Sequence, residues 1–393
     1  MKKTKVVDYR FGSGLALFTG ILFFLVSFRA PDILSNAPTY AVPGTIEMIQ
    51  QYSLIIVVVG IFLMSIWWYS KFERFSLRSV SHGIVYYLIF RQILVLTDFY
   101  YQTDVQAFII DFAFNFALFF YFGFIIKGLK FYSSSGRSFL HIAFWGIVAF
   151  IALNAALHLA GMGSMIWNRR FFGLTANPNF IGMASGVCVV FSFALLSERQ
   201  TFWHKLLCLI GFVSGALVCF MSDSRGAMGA ALAGCLLITV LSAKRAITGI
   251  VIVFLIGSAA FFLLSLVDIN SIIFAHRGNT REQVWEYLYV VARGLPFFGL
   301  GSNLPATTNS YLYAIAATGL LGGFFFFMSL IYVFRRSVSI VPLLKSSRIN
   351  PIPIKIYIGL STFLIGGALF EGFMLDSASI PVFTYWFLLA YGK

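Results

Sequence analysis

The residues best suited to chemistry are arginines that share one set of loops. When the loops between apolar runs are assigned alternately to two sides, one side carries seven arginines and no lysine, whereas all 11 lysines fall on the other. A guanidinium binds phosphate through two parallel hydrogen bonds, which a lysine cannot reproduce. The pattern therefore predicts a site that grips a phosphorylated lipid. The seven are Arg29, Arg169, Arg170, Arg225, Arg277, Arg281 and Arg293.

Three polar motifs lie on the same side, and each contains a residue suited to start a helix. The motifs run from Asn168 to Asn179, from Ser222 to Gly226 and, with interruptions, from Arg281 to Gly322. The predicted N-caps are Asn177 (before Pro178), Ser224, and Thr308 or Asn309. Helix N-termini present unpaired N–H groups and the positive end of the dipole, so they attract anions. With the nearby arginines they predict a seat for a pyrophosphate leaving group.

Several of these arginines have simpler explanations. Lone arginines at a membrane edge typically snorkel to lipid headgroups, which is the alternative for Arg29, Arg277 and Arg293. A pair such as Arg169-Arg170 can also bind anionic lipid. Arg225 lies in a turn too short to reach far into water, so we predict that it is held inward.

Two ionisable residues fall inside apolar runs, where charge is expensive and often functional. Arg91 lies in the third run and Asp111 in the fourth, with Asn115 one turn beyond Asp111. We predict a structural pair between Arg91 and Asp111, with a substrate-facing role for Arg91 as the alternative.

The composition identifies an integral membrane protein. Of the 393 residues, 60% are hydrophobic and 11% charged, whereas soluble domains carry about 25% charged residues. The net charge of +14 lies mostly in short loops, where it orients spans, so nucleic acid is not an expected partner. The four cysteines lie in apolar runs without metal-ligand spacing. We expect no disulfide, metal or cofactor.

Counting apolar runs of about 20 residues predicts an all-α polytopic membrane protein with twelve spans in a single transmembrane domain, residues 1–393. Eleven or thirteen spans are alternatives, because the last run is short and the seventh and eighth nearly fuse. The runs lie near 11–29, 52–70, 80–98, 105–126, 138–160, 179–197, 205–222, 226–243, 246–267, 309–334, 352–371 and 379–392.

The lysine-bearing loops are predicted to be cytoplasmic, together with both termini, by the positive-inside rule. The arginine side then faces outwards, and its longest loop spans 268–308. Thr280 and Gln283 form a predicted capping box, and Gly294 ends the helix that follows. Trp285 and its aromatic neighbours suit the membrane interface, which predicts a short amphipathic helix lying flat as a lid.

The polar motifs resemble a known family. They are Asn177-Pro-Asn179, Ser224-Arg-Gly226, Arg281-x-x-x-Trp285, Gly299-x-Gly301, Asn309-x-Tyr-Leu312 and Thr318-Gly-Leu-Leu-Gly322. In order, spacing and placement they look like the bacterial O-antigen ligase and O-antigen polymerase superfamily, over about Trp167 to Phe327. The resemblance implies a GT-C-type helical fold, a donor glycan on undecaprenyl pyrophosphate, and metal-independent transfer at the periplasmic face of the inner membrane. It also implies that Arg169 or Arg170, Arg225 and Arg281 hold the pyrophosphate.

One position departs from that family. Many of its ligases have a histidine directly before the residue equivalent to Asn309, and this chain has Thr308, which cannot act as a general base near neutral pH. Glu282, Asp223 and His276 are candidate substitutes, unless stabilising the pyrophosphate suffices. The difference slightly favours a polymerase, acting on an acceptor glycan, over a ligase that transfers to lipid A core. A chain-length regulator is a possible partner.

The predicted site thus has two parts. At the reacting centre we place Arg225, Arg281, Glu282 and Asn309; around the pyrophosphate and glycan we place Arg169, Arg170, Asn177, Asn179, Ser224, Trp285 and Arg91. The competing interpretation is a polytopic transporter or anion carrier that uses the same arginines. Transporters usually carry charged groups at the midplane and repeated halves; here the midplane is sparse and the halves are dissimilar.

Overall fold

The structure is a computed structural model in which nearly every described residue belongs to a helix. It describes residues 9–29, 42, 44–72, 80–126, 134–161, 166–167, 170–197, 201–242, 280–294, 297–302, 304, 309–345, 350–376 and 378–391. Eleven of the twelve predicted spans correspond to helices, and the predicted span at 246–267 lies outside the described residues. The all-α polytopic class is confirmed.

The elements follow the chain in this order. The first half contains α1 (Tyr9–Leu25), α2 (Gly44–Phe72), α3 (His82–Gln102), α4 (Val105–Phe120) with a π-helical continuation (Tyr121–Ile126), α5 (Ser134–Leu159), and strands β1 (Ile166–Trp167) and β2 (Arg170–Phe171). The second half contains α6 (Pro178–Leu196), α7 (Phe202–Met221), α8 (Arg225–Ser242), α9 (Thr280–Gly294), α10 (Ser310–Ile340), α11 (Pro351–Ala368) and α12 (Ile380–Tyr391). Short 3₁₀ turns, Val341–Lys345 and Phe373–Leu375, follow α10 and precede α12.

Side-chain caps fix where several helices begin. The Ser81 hydroxyl accepts from the Ile84 N–H at 3.3 Å at the start of α3. The Asp104 carboxylate accepts from Ala107 N–H at 3.0 Å at the start of α4. Asn350 does the same for Ile352 at 3.0 Å before α11. Each cap satisfies an N–H group that the helix itself leaves unpaired.

Most of the extensive helix contacts join elements that are distant in the sequence. Helix α1 lies along α5, α3 along α10, and α8 along α11, while α6 contacts α7, α8, α11 and α12. Gly20 and Gly146 mark a close crossing of α1 and α5, since a Cβ at Gly146 would overlap the Gly20 carbonyl. Small residues at such crossings let backbones approach closely, as in membrane helix packing.

In the described part of the chain, eight helices are long and apolar enough to cross a membrane, and three shorter apolar helices accompany them. Ile55, Leu63 and Ile66 of α2 are more than half exposed, as expected of side chains that face lipid. Helix α12 has 12 residues, all buried. Helix α12 is therefore surrounded by other helices. Because it does not face lipid, it need not reach the length of about 20 residues that spans a bilayer.

Contacts at the helix ends reproduce the alternation of loops expected from the sequence. On one face, Arg29 after α1 bonds Ala378 before α12, and Arg170 before α6 bonds the α7–α8 turn. We call this the arginine face. On the other, the Ser81 hydroxyl before α3 donates to Leu389 O near the end of α12. We call this the lysine face.

Candidate functional site

The first motif begins α6 as predicted. The Asn177 side-chain oxygen accepts from the N–H groups of Asn179, at 3.0 Å, and Phe180, at 3.3 Å. Pro178 occupies the first turn, where its missing N–H has no consequence. The predicted cap is confirmed, and the positive end of α6 lies at the arginine face.

Arg170 joins the start of α6 to the α7–α8 turn. From β2 its Nε donates to Ser222 O at 2.8 Å. Its Nη2 donates to Asn179 Oδ1 at 2.6 Å and to Asp223 O at 3.3 Å. The guanidinium therefore crosslinks two of the three predicted motifs. Arg169 lies outside the described residues.

The α7–α8 turn is short because Asp223 adopts a left-handed conformation, with φ +49°. This lets α7 end at Met221 and α8 begin at Arg225. A Cβ added to Gly182 of α6 would lie 2.6 Å from the Ser224 Cβ, so the two helix starts are in contact. Arg225, the first residue of α8, is exposed there, so the prediction that it is held inward is wrong.

Ser224 behaves differently from a simple cap. Its carbonyl accepts from Met228 N–H at 3.0 Å, as an N-cap residue does. Its hydroxyl, however, donates to Glu371 Oε1 at 3.3 Å. Both residues are buried, with Ser224 1% and Glu371 2% exposed. The start of α8 is therefore tied to the segment that follows α11.

The same acid contacts the third helix start. Asn309 caps α10, accepting from the N–H groups of Tyr311 at 2.9 Å and Leu312 at 3.1 Å. The Ser310 hydroxyl then donates to Glu371 O at 2.6 Å. Of the two predicted caps for α10, Asn309 is the one observed, and Thr308 lies outside the described residues. Glu371 thus links the starts of α8 and α10.

The segment 369–379, which we call the acidic loop, organises the arginine face, and the sequence analysis did not anticipate it. Arg91, 3% exposed, donates through Nη1 to Leu375 O at 2.5 Å and Asp376 O at 3.0 Å. Its Nε donates to Asn115 Oδ1 at 3.2 Å. Within the described chain Arg91 bonds Asn115 rather than making the predicted direct pair with Asp111, one turn earlier in α4, although its charge still acts on the Asp111 carboxyl. The sequence feature that could have predicted this loop's role is the presence of two acids, Glu371 and Asp376, in a short segment on the arginine side.

Arg29 also bonds the acidic loop rather than extending towards headgroups. Its Nη2 donates to Ala378 O at 2.8 Å and lies 3.9 Å from Asp376 Oδ1. The alternative explanation, a snorkelling Arg29, is therefore not what its contacts show. Burial raises the pKa of the Asp376 carboxyl, and Arg29 and Arg91 oppose that rise. Arg29 and Asp376 line a cavity of about 390 Å³ together with Gln50, Thr175 and Ser379.

A second, apolar cavity of about 700 Å³ lies between α3 and α10. The segment Phe297–Gly301 forms part of its wall, held by bonds from Leu300 N to Ala316 O and from Gly301 N to Ala317 O, both 2.9 Å. The lining residues are Ile93, Leu96, Thr97, Tyr100, Tyr101, Phe297, Phe298 and Leu321. The wall is thus almost entirely apolar and aromatic.

Helix α9 occupies the predicted bounds, Thr280–Gly294, and packs on α10. Leu288 is fully buried, whereas Tyr289 is 58% exposed. Glu282 is exposed and Trp285 half-buried. The side chain of Arg281 lies outside the described residues.

The structure thus brings together Arg170, Asn177, Asn179 and Ser224, with Arg225 at the edge, and connects Asn309 to them through Glu371. Arg91 of α3 donates to a backbone carbonyl of the acidic loop, which contains Glu371. Among the described residues, no group of three or more His, Cys, Asp or Glu side chains could hold a metal ion. No family model matches the sequence, and no curated protein is significantly similar to it.

Proposed function

We propose that this protein is a membrane glycosyltransferase that moves glycan units from a polyprenyl pyrophosphate at the arginine face. The observation that carries the proposal is the meeting of the starts of α6 and α8 around the Arg170 guanidinium, with Arg225 exposed beside them. The start of α10 is joined to this group through Glu371.

This arrangement suits a leaving pyrophosphate. Each helix start contributes roughly half a positive charge, and a guanidinium contributes a full one. Arg170 donates three hydrogen bonds to protein acceptors. Its proposed role is therefore to fix the α7–α8 turn and to add positive potential. Arg225, exposed on that turn, is the residue proposed to bind the phosphate oxygens. Charge that grows on the pyrophosphate as the sugar bond breaks would be stabilised there.

The apolar cavity between α3 and α10 supports a lipid-linked donor. Its Phe297 and Phe298 are 69% and 67% exposed, so a hydrocarbon chain can contact both. A polyprenyl tail lying in about 700 Å³ of apolar space is stabilised by burial of its methylenes. The tail and the pyrophosphate would then occupy the apolar and the positive parts of one face.

In the proposed reaction an acceptor sugar hydroxyl attacks the anomeric carbon. The bond from that carbon to the phosphate oxygen breaks, the polyprenyl pyrophosphate leaves with the electron pair, and a carboxylate takes the hydroxyl proton. Glu282 and Asp223 are the described candidates for that carboxylate. The resemblance of the motifs to O-antigen polymerases and ligases supports undecaprenyl pyrophosphate as the carrier, with a polymerase slightly preferred.

The direct test is transfer by purified protein without an energy source, using a lipid-linked oligosaccharide and reading product length on gels. Arg225→Lys keeps the charge but loses the two-pronged contact, so we expect at least a tenfold loss of rate, about 1.4 kcal/mol of transition-state stabilisation. Arg293→Lys, an exposed residue of α9, is the matched control. Full activity of Arg225→Lys would contradict phosphate binding by Arg225. Substrate counterflow without transfer would instead indicate a carrier.

Deletion of the gene in its host separates the two enzymatic alternatives. Loss of a polymerase would leave single glycan repeats on the surface core. Loss of a ligase would leave a bare core and an accumulation of lipid-linked polymer. Normal surface polysaccharide in the deletion strain would exclude both.

A further inference from the structure

The lysine face carries a basic cavity, at the opposite end of the helices from the helix starts of the proposed site. It encloses about 480 Å³ between the start of α3 and the end of α10. The lining residues are His82, Tyr86, Met328, Ile331, Tyr332, Arg335, Arg336 and Ser339. Two arginines and a histidine thus line it, and no acidic residue is among its described walls.

Arg336 distinguishes this cavity from an ordinary basic membrane edge. Its Nε is buried and, within the described residues, has no hydrogen-bond partner. A buried donor left unpaired costs about 1–3 kcal/mol, and more when it is charged. A snorkelling arginine avoids this cost by reaching water. Among the described residues the Nε therefore has no acceptor, and Arg336, half-buried, forms part of the cavity wall.

The start of α3 adds positive potential to the same space. Ser81 is the N-cap and His82 the first helical residue, so the positive end of α3 lies at the cavity wall. The Tyr332 ring lies against the backbone of Gly83, which joins α10 to this helix start. Two guanidinium groups, an imidazole and a helix N-terminus, with no carboxylate among them, together suit a phosphate group as the ligand.

The cavity continues onto a lipid-facing surface. Met328 and Ile331 form its apolar side. Ile331 is 46%, Phe334 61% and Val338 57% exposed, at helical spacing along α10. An acyl chain can therefore lie along α10 while its headgroup enters the cavity. We propose that the cavity binds the phosphate of an anionic membrane phospholipid, with Arg336 donating to a phosphate oxygen and Arg335 and His82 beside it.

The test measures lipid binding by the full-length protein in non-ionic detergent, by native mass spectrometry and by thermal unfolding. Probes are phosphatidylglycerol, phosphatidylcholine and inorganic phosphate. We expect phosphatidylglycerol to bind at least tenfold more tightly than phosphatidylcholine, and Arg336→Gln to weaken it about tenfold. Lys205→Gln removes one charge from an exposed residue at the start of α7, on the same face, and should leave binding unchanged.

Arg335→Gln provides a second variant, because Arg335 is exposed and its loss should not impair folding. Equal binding of the two lipids, or equal effects of Arg335→Gln, Arg336→Gln and Lys205→Gln, would overturn the proposal. Inorganic phosphate that displaces all bound phosphatidylglycerol would overturn the lipid assignment. None of these measurements depends on glycosyl transfer.

Discussion

Arg170 shows how a charged side chain can shape a site by binding protein groups. Three of its hydrogen bonds reach Ser222 and Asp223, at the end of α7, and Asn179, at the start of α6. Backbone carbonyls at the end of α7 need such donors, because no further turn of helix supplies them. The side chain that adds positive charge to the arginine face is thus also the one that fixes its geometry.

Replacement of Arg170 should therefore affect stability as well as activity. Arg170→Gln removes charge-assisted bonds worth about 1.5–3 kcal/mol each before relaxation. We expect a net loss of about 3 kcal/mol, measured as a lower thermal midpoint in detergent. Arg293→Gln, exposed on α9, is the control for loss of one charge. An unchanged midpoint for Arg170→Gln would show that the turn holds without it.

The raised pKa of Asp376 predicts that the stability of the folded protein depends on pH, with a defined sign. Its folded pKa is raised by burial above the ordinary value of about 3.9. As pH rises from that value through the raised pKa, the unfolded chain loses its proton first, so the folded state loses stability. We expect the stability of the wild type relative to Asp376→Asn to decline over this window.

The measurement is the thermal midpoint of both proteins across acidic to neutral pH. Glu47→Gln, a matched carboxyl-to-amide change at an exposed residue of α2, is the control. A wild-type midpoint that rises relative to Asp376→Asn over the same window would show that Arg29 and Arg91 outweigh burial.

At the scale of elements, helix α10 is kinked at a single residue, Gly319. Gly319 breaks the helix with φ +67° and ψ −170°, which removes the usual partners of nearby carbonyls. Leu300 and Gly301 donate to two of them, Ala316 O and Ala317 O. The kink therefore has an identifiable cause and places the wall of the apolar cavity.

Gly319→Ala should be strongly destabilising. A Cβ there would overlap the Phe297 carbonyl, and left-handed φ is unfavourable for alanine. We expect a loss of more than about 2 kcal/mol in the free energy of unfolding. Gly229→Ala in α8, where a Cβ meets open space, should be neutral or stabilise by about 0.5–1 kcal/mol. Equal effects of the two substitutions would contradict the role of the kink.

At the scale of the whole molecule, the two faces must lie on opposite sides of the membrane. Gln102 at the end of α3 and Thr201 before α7 are exposed on the arginine and lysine faces, respectively. Single cysteines introduced as Gln102→Cys and Thr201→Cys should differ in labelling by an impermeant maleimide. We expect Gln102→Cys to react in intact cells with a permeable outer membrane, and Thr201→Cys only after lysis.

Cys188, Cys208 and Cys219 are buried, whereas Cys235 of α8 is partly exposed, so the assay uses a Cys235→Ala background. Cys235→Ala without an added cysteine should therefore give little signal and is the control. Labelling of Thr201→Cys alone in intact cells would invert the orientation and remove the arginine face from the outer surface.

The sequence by itself determined the class, the positions of the described helices and the caps of α6 and α10. Each of these depends on local physics: apolar runs of bilayer length, alternation of charge, and side chains that bind the first N–H groups of their own helix. Asn177 and Asn309 were predictable for this reason, as were the bounds of α9.

The tertiary structure alone decided which of these elements meet. Arg29, Arg91 and Glu371 all bond the acidic loop or its neighbours, across separations of up to 349 residues. Such partners are chosen by helix packing, which no local pattern encodes, so Arg91 found Asn115 and loop carbonyls rather than Asp111. Burial then fixed which charged groups serve the fold and left Arg225 exposed at the arginine face.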